Sequence, residues 1–280
     1  MMLRTMITST NTMSQLQQQL DTIGNNLSNS ATTGYKARDV KFHELLYQQF
    51  NNDKLDRAPR QSPTGIRYGV GAVLGQAEMN WKQGTLQPTG RELDFAFSEP
   101  KQYFNILMPD EANGTKTVYT RQGAFYMSPM ENGQLMLVNG EGYPVADSEG
   151  APIVLDENAS KFTISDGGNL TVSYPNGTTT QTQLAVSVLQ KPQFMENLSA
   201  AYLGLPTNLD ELGVTEQDIL TNLQGADRAE IAMQNGTLEA SNVNMSKEFT
   251  ELISTQRSYQ FNARAVTMAD QMLGLINGIR

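Results

Sequence analysis

Both ends of this chain are patterned as amphipathic helices, while the long middle is patterned as strands and turns. A chain that folded around its middle alone would leave two apolar stripes without a partner. Two such stripes at opposite ends point to association rather than catalysis.

From Met6 onward the apolar positions Met13, Leu16, Leu20, Ile23 and Leu27 alternate by three and four, the spacing of a heptad seam. Gln15, Gln17, Gln18, Gln19 and Asp21 supply a polar outer face. Gly24, Asn25 and Asn26 tolerate left-handed backbone and compete for helical hydrogen bonds, so the helix is expected to fail there. Ser28 to Gly34 then reads as an ordered turn. At the other end, Ala240-Ser241-Asn242-Val243-Asn244 offers N-caps for a periodic stretch that runs to the last residue. Leu252, Tyr259, Val266, Ala269, Leu273 and Ile276 form its stripe, with Phe249, Ile253 and Met272 beside it. A rise of 1.5 Å per residue makes this helix about 50 Å long and the N-terminal one about 35 Å. Their inner ends join the same central segment, so they can pair only as an antiparallel hairpin with the longer helix overhanging.

The middle begins with a mixed stretch. Phe42 to Tyr47 is a helical candidate, Asn51 to Thr64 is polar and contains prolines, and Gly65 to Gly75 is Gly-rich. Those glycines lack the Gly-Lys-Ser/Thr ending of a phosphate loop and the dinucleotide spacing, and they read as a strand with close backbone contacts. From about Ala77 the chain is β text: Thr117 to Met127, Gln134 to Val138, Lys161 to Ile164, Leu170 to Tyr174 and Thr180 to Leu189. Asn113-Gly114, Asn132-Gly133, Asn139-Gly140, Asp166-Gly167 and Asn176-Gly177 favour hairpin turns between them. A short helix is expected around Thr215 to Leu223. The fold class is therefore α+β: two terminal helices paired as an antiparallel coiled coil, with a central antiparallel all-β domain, a sandwich or barrel. The expected divisions are 1–35 with 240–280 as the helical domain, 36–76 as a connecting segment and 77–239 as the β domain.

Composition narrows the function. With 20 basic and 29 acidic residues the formal charge is −9, which argues against a nucleic-acid surface. The absence of cysteine excludes disulfides and thiolate sites. The N-terminus has no apolar run of signal-peptide length, and no stretch is long enough to span a membrane, so export would not use a cleaved signal. His43 is the single histidine, which excludes a multi-histidine metal site and, anywhere else, a histidine-paired nucleophile. Carboxylate pairs such as Glu92 with Asp94 or Asp110 with Glu111 are the chance neighbours expected of an acid-rich chain. No catalytic residue, metal ligand or cofactor is expected.

The stretch Leu20-Asp21-Thr22-Ile23-Gly24-Asn25-Asn26-Leu27-Ser28-Asn29-Ser30-Ala31-Thr32-Thr33-Gly34-Tyr35-Lys36 closely resembles the N-terminal signature of bacterial flagellar rod and hook proteins. Gln83 to Asp94 resembles that family's entry to its β domain, and Tyr119 to Phe125 with Asn139 to Pro144 its recurrent hairpin. Gly236 to Asn244, Gln256 to Tyr259 and Ala269 to Leu273 resemble its C-terminal signature. Ser98 to Phe104 departs from the Gly-containing turn common at that place. The motif residues carried over are Asn25, Asn26, Asn29, Thr33, Gly34, Tyr35, Lys36, Ala240, Ser241, Asn242 and Asn244.

The resemblance implies a non-enzymatic structural subunit of the flagellar basal body, exported through the flagellar type III apparatus. Its implied partners are copies of itself in a helical assembly, other rod and hook proteins and the export apparatus. The distal-rod type fits best, with residues 36 to 75 as its extra segment; a hook subunit or a secreted adhesin-like module is the alternative. The helical stripes Met13, Leu16, Leu20, Ile23, Leu27, Phe249, Leu252, Tyr259, Val266, Ala269, Leu273 and Ile276 are the expected assembly interface. Lacking their partners in the isolated subunit, these ends are also expected to be loosely ordered or parked on a neighbouring molecule.

Overall fold

The computed structural model describes residues 2–44, 48–50, 66–68, 72–110, 114–165 and 167–278. The chain divides into two compact units. One comprises residues 1–28, 38–78 and 244–280; the other comprises 29–37 and 79–243.

The first unit is built on the two terminal helices. The N-terminal helix, Met2–Ser28, has 27 residues and is about 40 Å long. The C-terminal helix, Met245–Gly278, has 34 and is about 51 Å long. Asn244 caps the latter, its Oδ1 accepting from the Lys247 N–H at 3.1 Å. The helices run antiparallel: Gln19 meets Thr255 at 3.1 Å, and seven residues further along one helix and back along the other Asn26 meets Glu248.

The N-terminal helix does not fail at Gly24, contrary to expectation, but continues to Ser28. Asn26 does not compete for its own helix's backbone because its side chain is occupied elsewhere. Its Nδ2 donates to the Arg38 carbonyl and its Oδ1 accepts from the Arg38 N–H, both at 2.9 Å. The helical reading at Phe42 is also overturned. Phe42–Glu44 is a strand paired antiparallel with Ala72–Leu74, and Gln48–Phe50 pairs with Ile66–Tyr68 in the same register. Helical propensity over six residues is a weak preference, and cross-strand pairing overrides it. Leu45 to Tyr47 and Asn51 to Gly65 lie outside the described residues.

The second unit is an antiparallel β body. Its main sheet has the order Glu196–Asn197, Tyr202–Gly204, Gly114–Thr120, Gln102–Asp110, Val186–Leu189, Leu220–Asn222. Two three-stranded sheets accompany it: Phe125–Pro129, Gln134–Asn139, Val154–Asp156, and Lys161–Ser165, Asn169–Ser173, Thr179–Gln183. All three line one core, with Phe104, Ile106 and Val186 from the first, Phe125 and Leu137 from the second, and Phe162, Leu170 and Val172 from the third. Phe104 packs edge-on to Phe125 at 5.0 Å and lies 4.2 Å from Phe97.

Two expected single strands are each split in two. Thr117 to Met127 breaks between Thr120 and Phe125, where Gly123 lies so close to Phe95 that an added Cβ would meet the Phe95 carbonyl oxygen at 1.7 Å. Thr180 to Leu189 breaks after Gln183, and its halves join different sheets. The expected turns at Asn132-Gly133 and Asn176-Gly177 do connect hairpins, and both glycines have positive φ. At Asn139-Gly140 the left-handed residue is instead Gly142, because Asn139 Oδ1 accepts from the Glu141 and Tyr143 N–H groups. The helix expected around Thr215 to Leu223 is one turn, Glu216–Ile219, followed directly by a strand.

Candidate assembly interface and signature junction

In the helical unit the seam of the C-terminal helix repeats every seven residues. Glu248, Thr255 and Ala269 are buried, and Leu252, Tyr259, Val266 and Leu273 are half-buried between them. Across from them Leu16 and Ile23 are buried, with Met13, Leu20 and Leu27 half-buried. Thr10, Met13, Ser14, Gln17, Tyr259, Ala263 and Val266 line a shallow groove of about 390 Å³ along this seam. The expected stripe residues are thus brought together within one subunit, with two exceptions. Ile276 projects past the start of the N-terminal helix and is 53% exposed. Phe249 lies outside the seam and is 46% exposed.

Phe249 belongs to a second apolar face. Met245, Phe249, Ile253, Phe261, Met268, Met272 and Leu275 are all exposed, Phe261 at 72% and Leu275 at 69%. At 100° per residue most of these positions lie opposite the Thr255–Ala269 seam. The C-terminal helix therefore carries exposed apolar residues on its outward side as well, interspersed with the exposed Arg257, Arg264 and Gln271. On the N-terminal helix the exposed large apolar residue is Ile7, and Gln17, Gln18, Asp21 and Asn25 make the outer surface polar. The sequence set Phe249, Ile253 and Met272 beside the main stripe, and their exposure puts them on the outward side.

In the β unit the two signature segments meet. Gly34 donates its N–H to the Glu239 carbonyl at 2.8 Å, and Tyr35 accepts from the Asn242 N–H. Asn242 Oδ1 accepts from the Ala37 N–H at 2.7 Å, while Nδ2 donates to the Asn80 and Lys82 carbonyls at 2.8 Å. The Ala240 N–H reaches the Thr85 carbonyl. Asn29 and Thr32 hold the preceding turn, and Thr33 and Ser241 are both half-buried.

Beneath this lies a buried charge cluster. Glu239 accepts from Lys36 Nζ at 2.6 Å and from Arg121 Nε at 2.5 Å, and all three side chains are at most 3% exposed. The Gly84 N–H adds a third bond to the carboxylate. Lys36 also donates to the Lys82 carbonyl, and Arg121 Nη1 to the carbonyls of Glu99 and Gln102. Arg121 is stacked 5.6 Å from the ring centres of Phe97 and Tyr103. Burial, with Arg121 beside it, lowers the Lys36 pKa despite the carboxylate. Buried ions in this geometry are costly to separate, so the cluster ties residues 36, 121 and 239 into one body. Arg121 and Glu239 were not among the expected site residues. Both lie in segments that carry the family resemblance, and each is a charged residue within strand-like sequence.

Nothing in these arrangements resembles a reaction centre. Among the described residues no three His, Cys, Asp or Glu side chains are placed to hold a metal ion. No helix among them is long and apolar enough to cross a membrane.

Three protein-family models match the chain: "Flagella basal body rod protein" over residues 6–36, "Flagellar hook protein FlgE/F/G D1 domain" over 100–172, and "Flagellar basal body rod FlgEFG protein C-terminal" over 234–279. The chain is 43% identical to the flagellar hook-basal body complex protein FlhP of Bacillus subtilis, over 286 residues and the full length of both. It is 31% identical to the basal-body rod protein FlgG of Caulobacter vibrioides, covering 98% of each chain. To the FlgG of Bacillus subtilis it is 29% identical, covering 97% of each.

Proposed function

This chain belongs to the flagellar basal-body rod and hook family, and on that premise we propose that it is a subunit of the rod or rod–hook junction whose helices build the wall of a helical tube. Membership itself makes it a structural component of the flagellar basal body. The finer position rests on two supports. The full-length relative in Bacillus subtilis carries a hook-basal body name, which favours the junction. The observation that carries the tube is the row of exposed apolar residues on the C-terminal helix, from Phe249 to Leu275, which no described residue covers.

Single exposed apolar residues are ordinary, but seven large ones exposed along one helix are the kind of surface that marks an association site. Heterologous contacts repeated between copies build an open helical array, which is the geometry of a tube. In this reading residues 1–35 and 240–280 form the inner wall, 36–76 connect, and 77–239 clothe the outside. Copies of the chain and the other rod and hook proteins are its partners. Export through the flagellar apparatus belongs to the same reading.

The test is a deletion strain complemented with Phe261→Ser, Met268→Gln and Leu275→Gln combined. The purified variant should keep wild-type helicity, while isolated basal bodies should lack the subunit and cells should not swim. Normal hooks and swimming with this variant, or in the deletion strain itself, would overturn the proposal.

A further inference from the structure

Glu248 sits on the seam at the base of the helix pair, and among the described residues its side chain has no cation of its own. It is 3% exposed, and its Oε2 is enclosed without a hydrogen-bond partner. From the N-terminal helix it receives a hydrogen bond from the neutral side chain of Asn26. From its own helix Lys247 and Glu251 act on it, and from the Arg38–Asp39 strand it is Asp39 whose charge is felt. Lys247 is already engaged, 2.7 Å from Asp39 and 3.8 Å from Glu251. An ionised Glu248 is thus a buried third carboxylate competing for one lysine.

We propose that Glu248 is a proton-operated latch: protonated, it lets the first turns of the C-terminal helix seat against the N-terminal helix, and ionised, it loosens them. The physical cause is the cost of enclosing an unpaired charge, which a neutral carboxyl escapes. Burial and the two neighbouring carboxylates push the group above its ordinary value, so the folded chain holds a proton that the unfolded chain has released. The stabilisation is complete below the ordinary value of 4.5 and is lost as pH rises through the folded one. The latch acts in the single subunit and stands whether or not the helices build a tube.

Amide hydrogen exchange on the full chain, corrected for the intrinsic effect of pH, tests this over residues 20–28 and 245–255. Protection should rise on acidification from pH 8 to pH 4, approaching about tenfold for each pKa unit of upward shift where opening is complete. Glu248→Gln should be protected at both pH values alike, and Glu251→Gln, which removes one of the two carboxylates that raise the group, should weaken the response without abolishing it. A wild type whose protection does not change, or a Glu248→Gln variant that keeps the full response, overturns the latch. Carboxyl NMR titration of the wild type supplies a readout independent of any variant, and a midpoint for Glu248 at or below 4.5 also overturns it.

Discussion

Lys36 and Glu239 stand 203 positions apart in the chain, yet the ammonium of one lies 2.6 Å from the carboxylate of the other. Arg121 completes the contact from a third segment, 118 positions from Glu239. Removing the carboxylate leaves two enclosed cations facing each other. Glu239→Ala is therefore expected to cost about 3–5 kcal/mol. Lys36→Met should cost less, because it removes a charge that burial and Arg121 already disfavour. Urea unfolding of the two variants gives the order, and a larger loss for Lys36→Met would refute the account.

Three glycines in the same fold should respond differently to alanine. Gly34 has φ +70°, and an added Cβ would stand 2.6 Å from the Arg121 carbonyl carbon; at Gly123 it would stand 1.7 Å from the Phe95 oxygen. Both substitutions must displace backbone, so both should lower the melting temperature, Gly123→Ala more. Gly24 lies in a helix with nothing within 4 Å of its added Cβ. Gly24→Ala should instead stabilise by about 0.5–1 kcal/mol. Thermal melts of the three variants check the signs.

Asn242 makes three side-chain hydrogen bonds, to Ala37, Asn80 and Lys82. At about 1 kcal/mol net for each, Asn242→Ala should lose about 3 kcal/mol. Asn242→Asp keeps the acceptor for Ala37 but turns a carboxylate oxygen toward two carbonyls, so it should not rescue stability. Equal stability of Asp and Asn at this position would show that the amide donor is dispensable.

Alkali should unfold the β unit. Burial pushes the hydroxyls of Tyr103, Tyr119 and Tyr202 well above their ordinary value of 10.0, so the folded chain keeps protons that the unfolded chain gives up. Stability then falls as pH rises past 10. Lys36 works the other way, since its lowered value adds stability as pH climbs toward 10.5, but three groups outweigh one. Tyrosinate absorbance should rise together with loss of β-sheet circular dichroism. A separate titration of these tyrosines in intact protein would contradict this.

Period and turn chemistry were legible because neighbours in sequence produce them. The heptad spacing of Leu16 and Ile23, the cap at Asn244 and the hairpin at Asn132-Gly133 all follow from residues within a few positions of each other. Phe42–Glu44 was misread because a short apolar run has no decisive period, and its strand partner, Ala72–Leu74, lies about thirty residues away. The break at Gly123 was hidden for a related reason: what forces it is the backbone of Phe95, not anything beside it in the chain.

The sequence by itself determined that two helices flank a β body and that the chain has no cysteine chemistry, because composition and period are local properties. Tertiary structure alone decided which apolar residues of the C-terminal helix face the N-terminal helix and which face outward. It also decided that Lys36, Arg121 and Glu239 share one enclosed site and that Glu248 has no cation of its own among the described residues. Burial and ion pairing depend on which distant segments the topology brings together, and no spacing along the chain encodes that distance.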